Sequence, residues 1–389
     1  MLLAALLLGG YACGEAARRC GLPRLTGYVV LGLLVGDTGT GWLGSDVREL
    51  LRPFVEVGLA LLLLELGQRL DLHWMRRERW LWVIAGGEIA LTWLLSFTAL
   101  KVFDFSHAEA AFLAAAVVST SPVVVMYVAR EESADGQVSN RVLALTAINS
   151  LAAFVLATLL LPLLRVERGG NSLMEIAAMM LHPAWRLVGS VLLGAFVFGL
   201  YRFCARWYGK RPQAQFVLAI GMVLLTIGLA DGLDLSVLCA ILTIGVLIKN
   251  ADPQRRIRHI EFGFTSEVMS VILFIVAGAS AHFSAAPGIL AAALLLVVVR
   301  FVAKLLPVFA ISPLTPLGLS RAGLVGLGLM PLSGFTALVL VDPAAAGFAA
   351  NGRLIAVFLT AVAILELTGP LMVQFAFRRA RETHPVDEA

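Results

Sequence analysis

Four charged side chains sit inside stretches of sequence that are otherwise apolar. They are Glu65 in LALLLLELGQRL, Glu88 in VIAGGEIALTW, and Arg300 and Lys304 in LLLVVVRFVAKLLPVF. A charge at membrane depth costs at least about 2.5–3.5 kcal/mol on insertion scales, so it faces a bundle interior, a partner or a watery cavity. A buried carboxylate has two uses. It can pair with a basic residue and hold helices together, or it can carry a proton, because desolvation favours the neutral acid. Glu65 and Glu88 are therefore the candidate proton carriers. Arg300 and Lys304 are four residues apart and share one helical face. Arg300 follows an unbroken apolar run and should lie deepest, whereas Lys304 has a stem long enough to reach the interface. Glu56, Glu267 and Glu366 fall nearer the ends of their apolar stretches and are weaker versions of the same choice.

A second kind of signal is polar residues beside a proline. In AAFLAAAVVSTSPVVVMYVAR, Ser119, Thr120, Ser121 and Pro122 occupy the midpoint of one apolar stretch. Pro122 lacks an N–H and pushes Ser121 out of helical geometry, and the hydroxyls can satisfy the backbone groups set free. In RAGLVGLGLMPLSGFTALVLV, Pro331, Ser333, Gly334 and Thr336 interrupt a second stretch at comparable depth. Two such breaks, one in each half of the chain, are the pattern of inverted-repeat transporters, whose half-helices face a midplane site.

Composition supplies the setting. Of 389 residues, 59% are hydrophobic and 14% charged, and mean hydropathy is +0.89. Soluble domains are roughly 45–50% apolar and about 25% charged. Apolar runs of bilayer-crossing length recur along the whole chain without the period-2 alternation of strands. We expect an all-α polytopic membrane protein with about 13 spans. They fall near 2–18, 24–36, 51–69, 80–103, 109–129, 141–164, 185–206, 214–231, 233–249, 264–284, 288–311, 321–341 and 353–376. The alternate loops hold 21 of the 30 Lys and Arg on one side and 7 on the other. The positive-inside rule then puts the N-terminus outside and the C-terminus in the cytoplasm, as in a bacterial inner membrane. That bias also accounts for the net charge of +4 without a nucleic-acid partner. Residues 1–379 form one membrane domain, and 380–389 form a short polar tail.

Several chemistries find no support. The sequence has no GxxxxGK[ST] and no strand followed by GxGxxG, which argues against ATP-driven transport by this chain. Cys13, Cys20, Cys204 and Cys239 include no CxxC pair. The six histidines have no metal-ligand spacing, and His182 precedes a proline in an expected loop. No metal, cofactor or enzymatic activity is expected.

Six segments occur in one order: Arg19-Cys20-Gly21-Leu22-Pro23 followed by LTGYVVLGLLVG, then EVGLALLLLELGQRLDL, AVVSTSPVVVMYVARE, LFIVAGASAHF, VVVRFVAK and GLGLMPLSG. Together they resemble the membrane domain of the cation/proton antiporter superfamily, the sodium/hydrogen and potassium/proton exchangers. The resemblance covers nearly the whole chain. It implies two inverted repeats with discontinuous, crossed helices, a homodimer with scaffold and core parts, and elevator-like exchange of protons against a monovalent cation.

One position departs from that family. The helix after its first break carries an aspartate that binds cation and proton in turn. Here the segment is RVLALTAINSLAAFVLATLL, with Asn149 at the first position of the pair and Ser150 where the aspartate belongs. Serine offers a neutral oxygen and exchanges no proton at physiological pH. Three functions follow. A displaced carboxylate, Glu65 or Glu88, could sustain cation/proton antiport. A neutral-to-positive site around Ser119, Thr120, Ser121, Asn149, Ser150, Ser333 and Thr336 would suit a proton-coupled anion or organic solute. Alternatively, the chain is a non-transporting membrane subunit or sensor, with or without a separate regulatory subunit.

Overall fold

The computed structural model describes residues 2–166, 173–208, 212–251, 263–281, 284, 286–315, 317–332 and 352–383. The described residues are helices and connecting turns. Seven helices are long and apolar enough to cross a membrane, and shorter apolar helices accompany them. The protein is an all-helical polytopic membrane protein.

The first half runs α1 (Leu2–Arg19), α2 (Arg24–Val35), α3 (Ser45–Arg69), α4 (Leu72–Arg77), α5 (Arg79–Val102), α6 (His107–Val118), α7 (Pro122–Glu131) and α8 (Gln137–Val166). The second runs α9 (Leu173–Tyr208), α10 (Pro212–Gly232), α11 (Val237–Ala251), α12 (Gly263–Ala279), α13 (Pro287–Ile311), α14 (Gly318–Gly328) and α15 (Gly352–Ala380). Each expected span but the twelfth coincides with a helix or with the broken pair α6–α7, and α14 covers the first part of the twelfth. The near-continuous stretch at 214–249 resolves into α10 and α11, with Asp234 at φ 52° in the turn between them. His182 and Pro183, expected in a loop, lie within α9. The second half of the twelfth span, with Ser333, Gly334 and Thr336, lies outside the described residues.

Glycines set the closest helix approaches. Gly67 on α3 and Gly245 on α11 abut so tightly that a Cβ on Gly67 would fall 2.8 Å from the Gly245 Cα. Gly32 of α2 meets the α12 backbone in the same way, 2.2 Å from the Ile275 carbonyl oxygen. Without a hydrophobic effect between helices in lipid, such close backbone packing supplies much of the association.

The tail is partly anchored. Glu382 accepts hydrogen bonds from the Val138 and Ser139 backbone N–H groups at 2.8–3.0 Å and from Ser139 Oγ at 2.8 Å. Its carboxylate thereby caps the N-terminus of α8, where the helix dipole favours negative charge.

Candidate functional site

Sequence determines how α6 ends and α7 begins. Ser119 and Ser121 are extended, at ψ 145° and 107°. Pro122 takes the first position of α7, where its missing N–H costs nothing, and Ser121 Oγ caps the Val124 N–H at 3.4 Å. Ser119, Thr120 and Ser121 are all buried. α14 stops at Gly328, three residues before the proline that marks its break, and 329–332 are irregular. The two breaks meet where the Ser121 N–H donates to the Pro331 carbonyl at 2.9 Å.

An interrupted helix leaves carbonyls without partners at its C-terminal end, and lipid supplies none. α13 supplies them here. Arg300 donates from Nε to the Met330 carbonyl at 3.1 Å and from Nη2 to those of Leu329 and Pro331 at 3.0 Å each. Its Nη1 donates to the Val117 carbonyl. Lys304 Nζ donates to the Val118 carbonyl at 2.9 Å and forms an ion pair with Glu88. Arg300, Lys304 and Glu88 are all 0% exposed. Lys304 therefore does not reach an interface: its charge is matched by Glu88 within the bundle. The guanidinium faces the C-termini of α6 and α14, each equivalent to roughly −0.5 charge. The two cations are thus committed to helix ends and to one carboxylate.

α8 lines the crossing with neutral oxygens. Ser150 Oγ lies 2.8 Å from both the Thr120 and Thr146 carbonyls, to which it donates. Asn149 Nδ2 donates to Thr120 Oγ1 at 3.3 Å, and Thr120 Oγ1 donates to the Leu329 carbonyl at 3.3 Å. Asn149 Oδ1 and Thr146 Oγ1 are buried and find no hydrogen-bond partner among the described residues. Buried unpaired oxygens are uncommon in proteins. Thr146 was not among the expected site residues. Its signal was spacing, since Thr146, Asn149 and Ser150 fall at i, i+3 and i+4 on one helical face. A parallel stripe follows Glu88 on α5: Thr92 and Ser96, at i+4 and i+8, are 0% exposed, and neither hydroxyl has a hydrogen-bond partner among the described residues.

The structure thus gathers Ser119, Thr120, Ser121, Pro122, Asn149, Ser150, Glu88, Arg300, Lys304 and Pro331 in one place. Glu65 lies elsewhere. Its carboxylate is 3.6 Å from Arg130 Nη1, and Arg130 is nine residues beyond Ser121, about 13 Å along the helix. Arg130 also donates to Ser266 Oγ at 2.5 Å, joining α3, α7 and α12. Glu366, expected near the end of a span, is instead the central residue of the 29-residue α15. Among the described residues no group of His, Cys, Asp and Glu side chains could hold a metal ion.

A helix interrupted at Ser119–Pro122 and the end of α14 meet within a helical bundle, their carbonyl ends held by buried cations, an arrangement of the secondary-transporter kind. The chain belongs to the sodium/hydrogen exchanger family, whose transmembrane domain its sequence matches over residues 3–379. Among solved structures it is similar to the sodium proton antiporter MjNhaP1 from Methanocaldococcus jannaschii. Against the structure at pH 8 the TM-score is 0.72 at 14% identity, covering 98% of this chain and 97% of the other. Against the electron-microscopy map of the same antiporter it is 0.70 at 16% identity, with 99% and 98% covered. At these identities the likeness is one of fold.

Proposed function

We propose that this protein exchanges protons for a monovalent cation, Na⁺ or K⁺, at the crossing of its broken helices. The observation that carries this is the pair of buried oxygens, Asn149 Oδ1 and Thr146 Oγ1, unpaired among the described residues, beside Thr120 and Ser150. Neutral carbonyl and hydroxyl oxygens are what a dehydrated alkali cation takes as ligands. The anion reading loses its main support. A retained Arg300 charge would favour an anion, yet the guanidinium donates to four backbone carbonyls. Lys304 is occupied by Glu88 and the Val118 carbonyl.

The test is reconstitution in proteoliposomes. Na⁺, K⁺ and Li⁺ gradients are imposed in turn and internal pH is followed. A cation-dependent pH change, weakened by Asn149→Ala, is the expected result. No cation-driven proton flux anywhere in the neutral range would overturn the proposal and favour a non-transporting subunit.

Three features belong to the same proposal. The excess of Lys and Arg at one set of helix ends supports a cytoplasmic C-terminus and an external N-terminus, which single-cysteine accessibility at Cys20 can test. Residues 1–379 act as one membrane unit. Family membership supports a homodimer, measurable as the mass of the purified protein in detergent.

A further inference from the structure

We propose that Glu366 is the exchangeable carboxylate of this transporter, standing in for the aspartate that position 150 lacks. The inference rests on the antiport proposed above. A carboxylate that trades a proton for a cation must be deep in the membrane, reachable, close to the cation ligands, and not consumed by a fixed counter-charge. Glu88 is reachable by nothing, at 0% exposure, and is bound to Lys304. Glu65 is bound to Arg130 and far from the crossing.

Glu366 fits these conditions better than either of the others. It is the centre of α15, a helix about 44 Å long, which places it near the midplane of about 30 Å of hydrocarbon. It is only partly buried, and no hydrogen bond or ion pair reaches it among the described residues. Its helix also borders the crossing. Gly369, three residues on, abuts the second break so closely that a Cβ there would lie 2.9 Å from the Pro331 Cα. Pro331 is the residue whose carbonyl accepts from Ser121 and from Arg300. Pro370, four residues after Glu366, has no N–H to give to the Glu366 carbonyl. A second oxygen of the same residue thereby loses its regular helical partner.

The surrounding charges are accounted for. α13 carries Arg300 and Lys304, both committed as described. The charges on α2, α7, α8 and α14, namely Arg24, Arg130, Glu131, Arg141, Arg165 and Arg321, lie near helix ends, as do His107 and Glu109 of α6. On α15 itself, Arg353, Arg378 and Arg379 are at the ends. A midplane carboxylate with no cationic partner is stable only with a proton or a cation on it. Those are the two loaded states of an antiporter. Arrival of one monovalent cation releases one proton, and the reverse step on the opposite side closes the cycle with charge balanced.

Proteoliposomes containing the full chain test this, comparing wild type with Glu366→Gln, Glu366→Asp, Glu88→Gln and Glu65→Gln. Glu366→Gln should lower cation-driven proton flux by about a hundredfold or more, the range over which positioned proton-transfer groups act. Glu366→Asp should retain part of it. Wild-type flux in Glu366→Gln overturns the inference and leaves antiport standing. A second readout needs neither transport nor a folded variant. Dicyclohexylcarbodiimide, an apolar reagent for protonated membrane carboxyls, is applied to the wild type, and the modified residue is located by mass spectrometry. Labelling at Glu366 that Na⁺ or K⁺ suppresses supports the inference. Absent or cation-insensitive labelling overturns it. Wild type without flux but with cation-protected labelling would fail the antiport reading while upholding Glu366 as an ion site.

Discussion

Lys304 and Glu88 form an ion pair in which neither side chain is exposed. Lys304 also donates to the Val118 carbonyl at the end of α6. Removing one member of such a pair leaves an uncompensated charge, which costs roughly 3–5 kcal/mol. Lys304→Ala and Glu88→Ala should each lower the melting temperature of the detergent-solubilised protein sharply. The double change Glu88→Leu with Lys304→Met should recover most of that loss, since buried pairs are replaceable by apolar residues. Melting curves of the three variants check this.

Arg300→Lys is expected to be a severe change despite keeping the charge. The guanidinium spans the ends of two helices, reaching Val117 on one and Leu329, Met330 and Pro331 on the other. An ammonium is a point charge with three donors and no fork. Each charged hydrogen bond lost is worth about 1.5–3 kcal/mol. A drop in thermal stability together with loss of flux should appear in the same preparation.

Gly369→Val should disrupt the crossing rather than the bundle as a whole. The added Cβ would meet Pro331 backbone at 2.9 Å, and overpacking at such a point costs about 1–3 kcal/mol. Gly86, with open space at its Cβ position, supplies the control. Flux assays should show loss in Gly369→Val and little change in Gly86→Ala.

Ser150→Asp is expected to behave differently with and without cations. The Ser150 hydroxyl donates toward two carbonyls at 2.8 Å each. An ionised carboxylate cannot donate and would face both oxygens, an arrangement that leaves buried acceptors unsatisfied at about 1–3 kcal/mol. A cation held between them would relieve it. The melting temperature of Ser150→Asp should therefore fall in cation-free buffer and rise with Na⁺ or K⁺ more than that of wild type.

Thr146→Val separates binding from stability. The Thr146 hydroxyl oxygen is buried without a hydrogen-bond partner among the described residues, so an apolar isostere should leave stability unchanged or raise it by up to about 1 kcal/mol. If the oxygen is a cation ligand, the apparent KM for the cation rises at the same time. Paired melting and flux measurements decide it.

The break at Ser119–Pro122 was legible in the sequence because proline chemistry is local. So was the shared face of Arg300 and Lys304, which follows from a spacing of four. Their partners were not. Arg300 binds main-chain carbonyls of Val117, Leu329 and Met330, and those side chains are ordinary apolar ones that carry no trace of the contact. The pairing of Lys304 with Glu88 joins α13 to α5 across more than half the chain, beyond the reach of any local pattern. Glu366 was misplaced for a different reason. The expected span 353–376 already runs past it. Glu-Leu-Thr-Gly-Pro nevertheless looks like a boundary and makes the residue read as near an end, whereas it is the centre of a helix that runs through Pro370 to Ala380. In a bundle, tertiary contacts carry a helix past residues that would end it alone.

The fastening of both broken helices to Arg300 also limits where this protein can open. One side chain holds Val117 of the first break and Leu329 to Pro331 of the second, and Ser121 bonds directly to Pro331. Pulling the two breaks apart would strand several carbonyls and a guanidinium in a medium without water. The crossing therefore behaves as a rivet rather than a gate. Any change of access must come from slip along surfaces that carry no such bonds, such as apolar helix faces, where sliding exchanges one van der Waals contact for another.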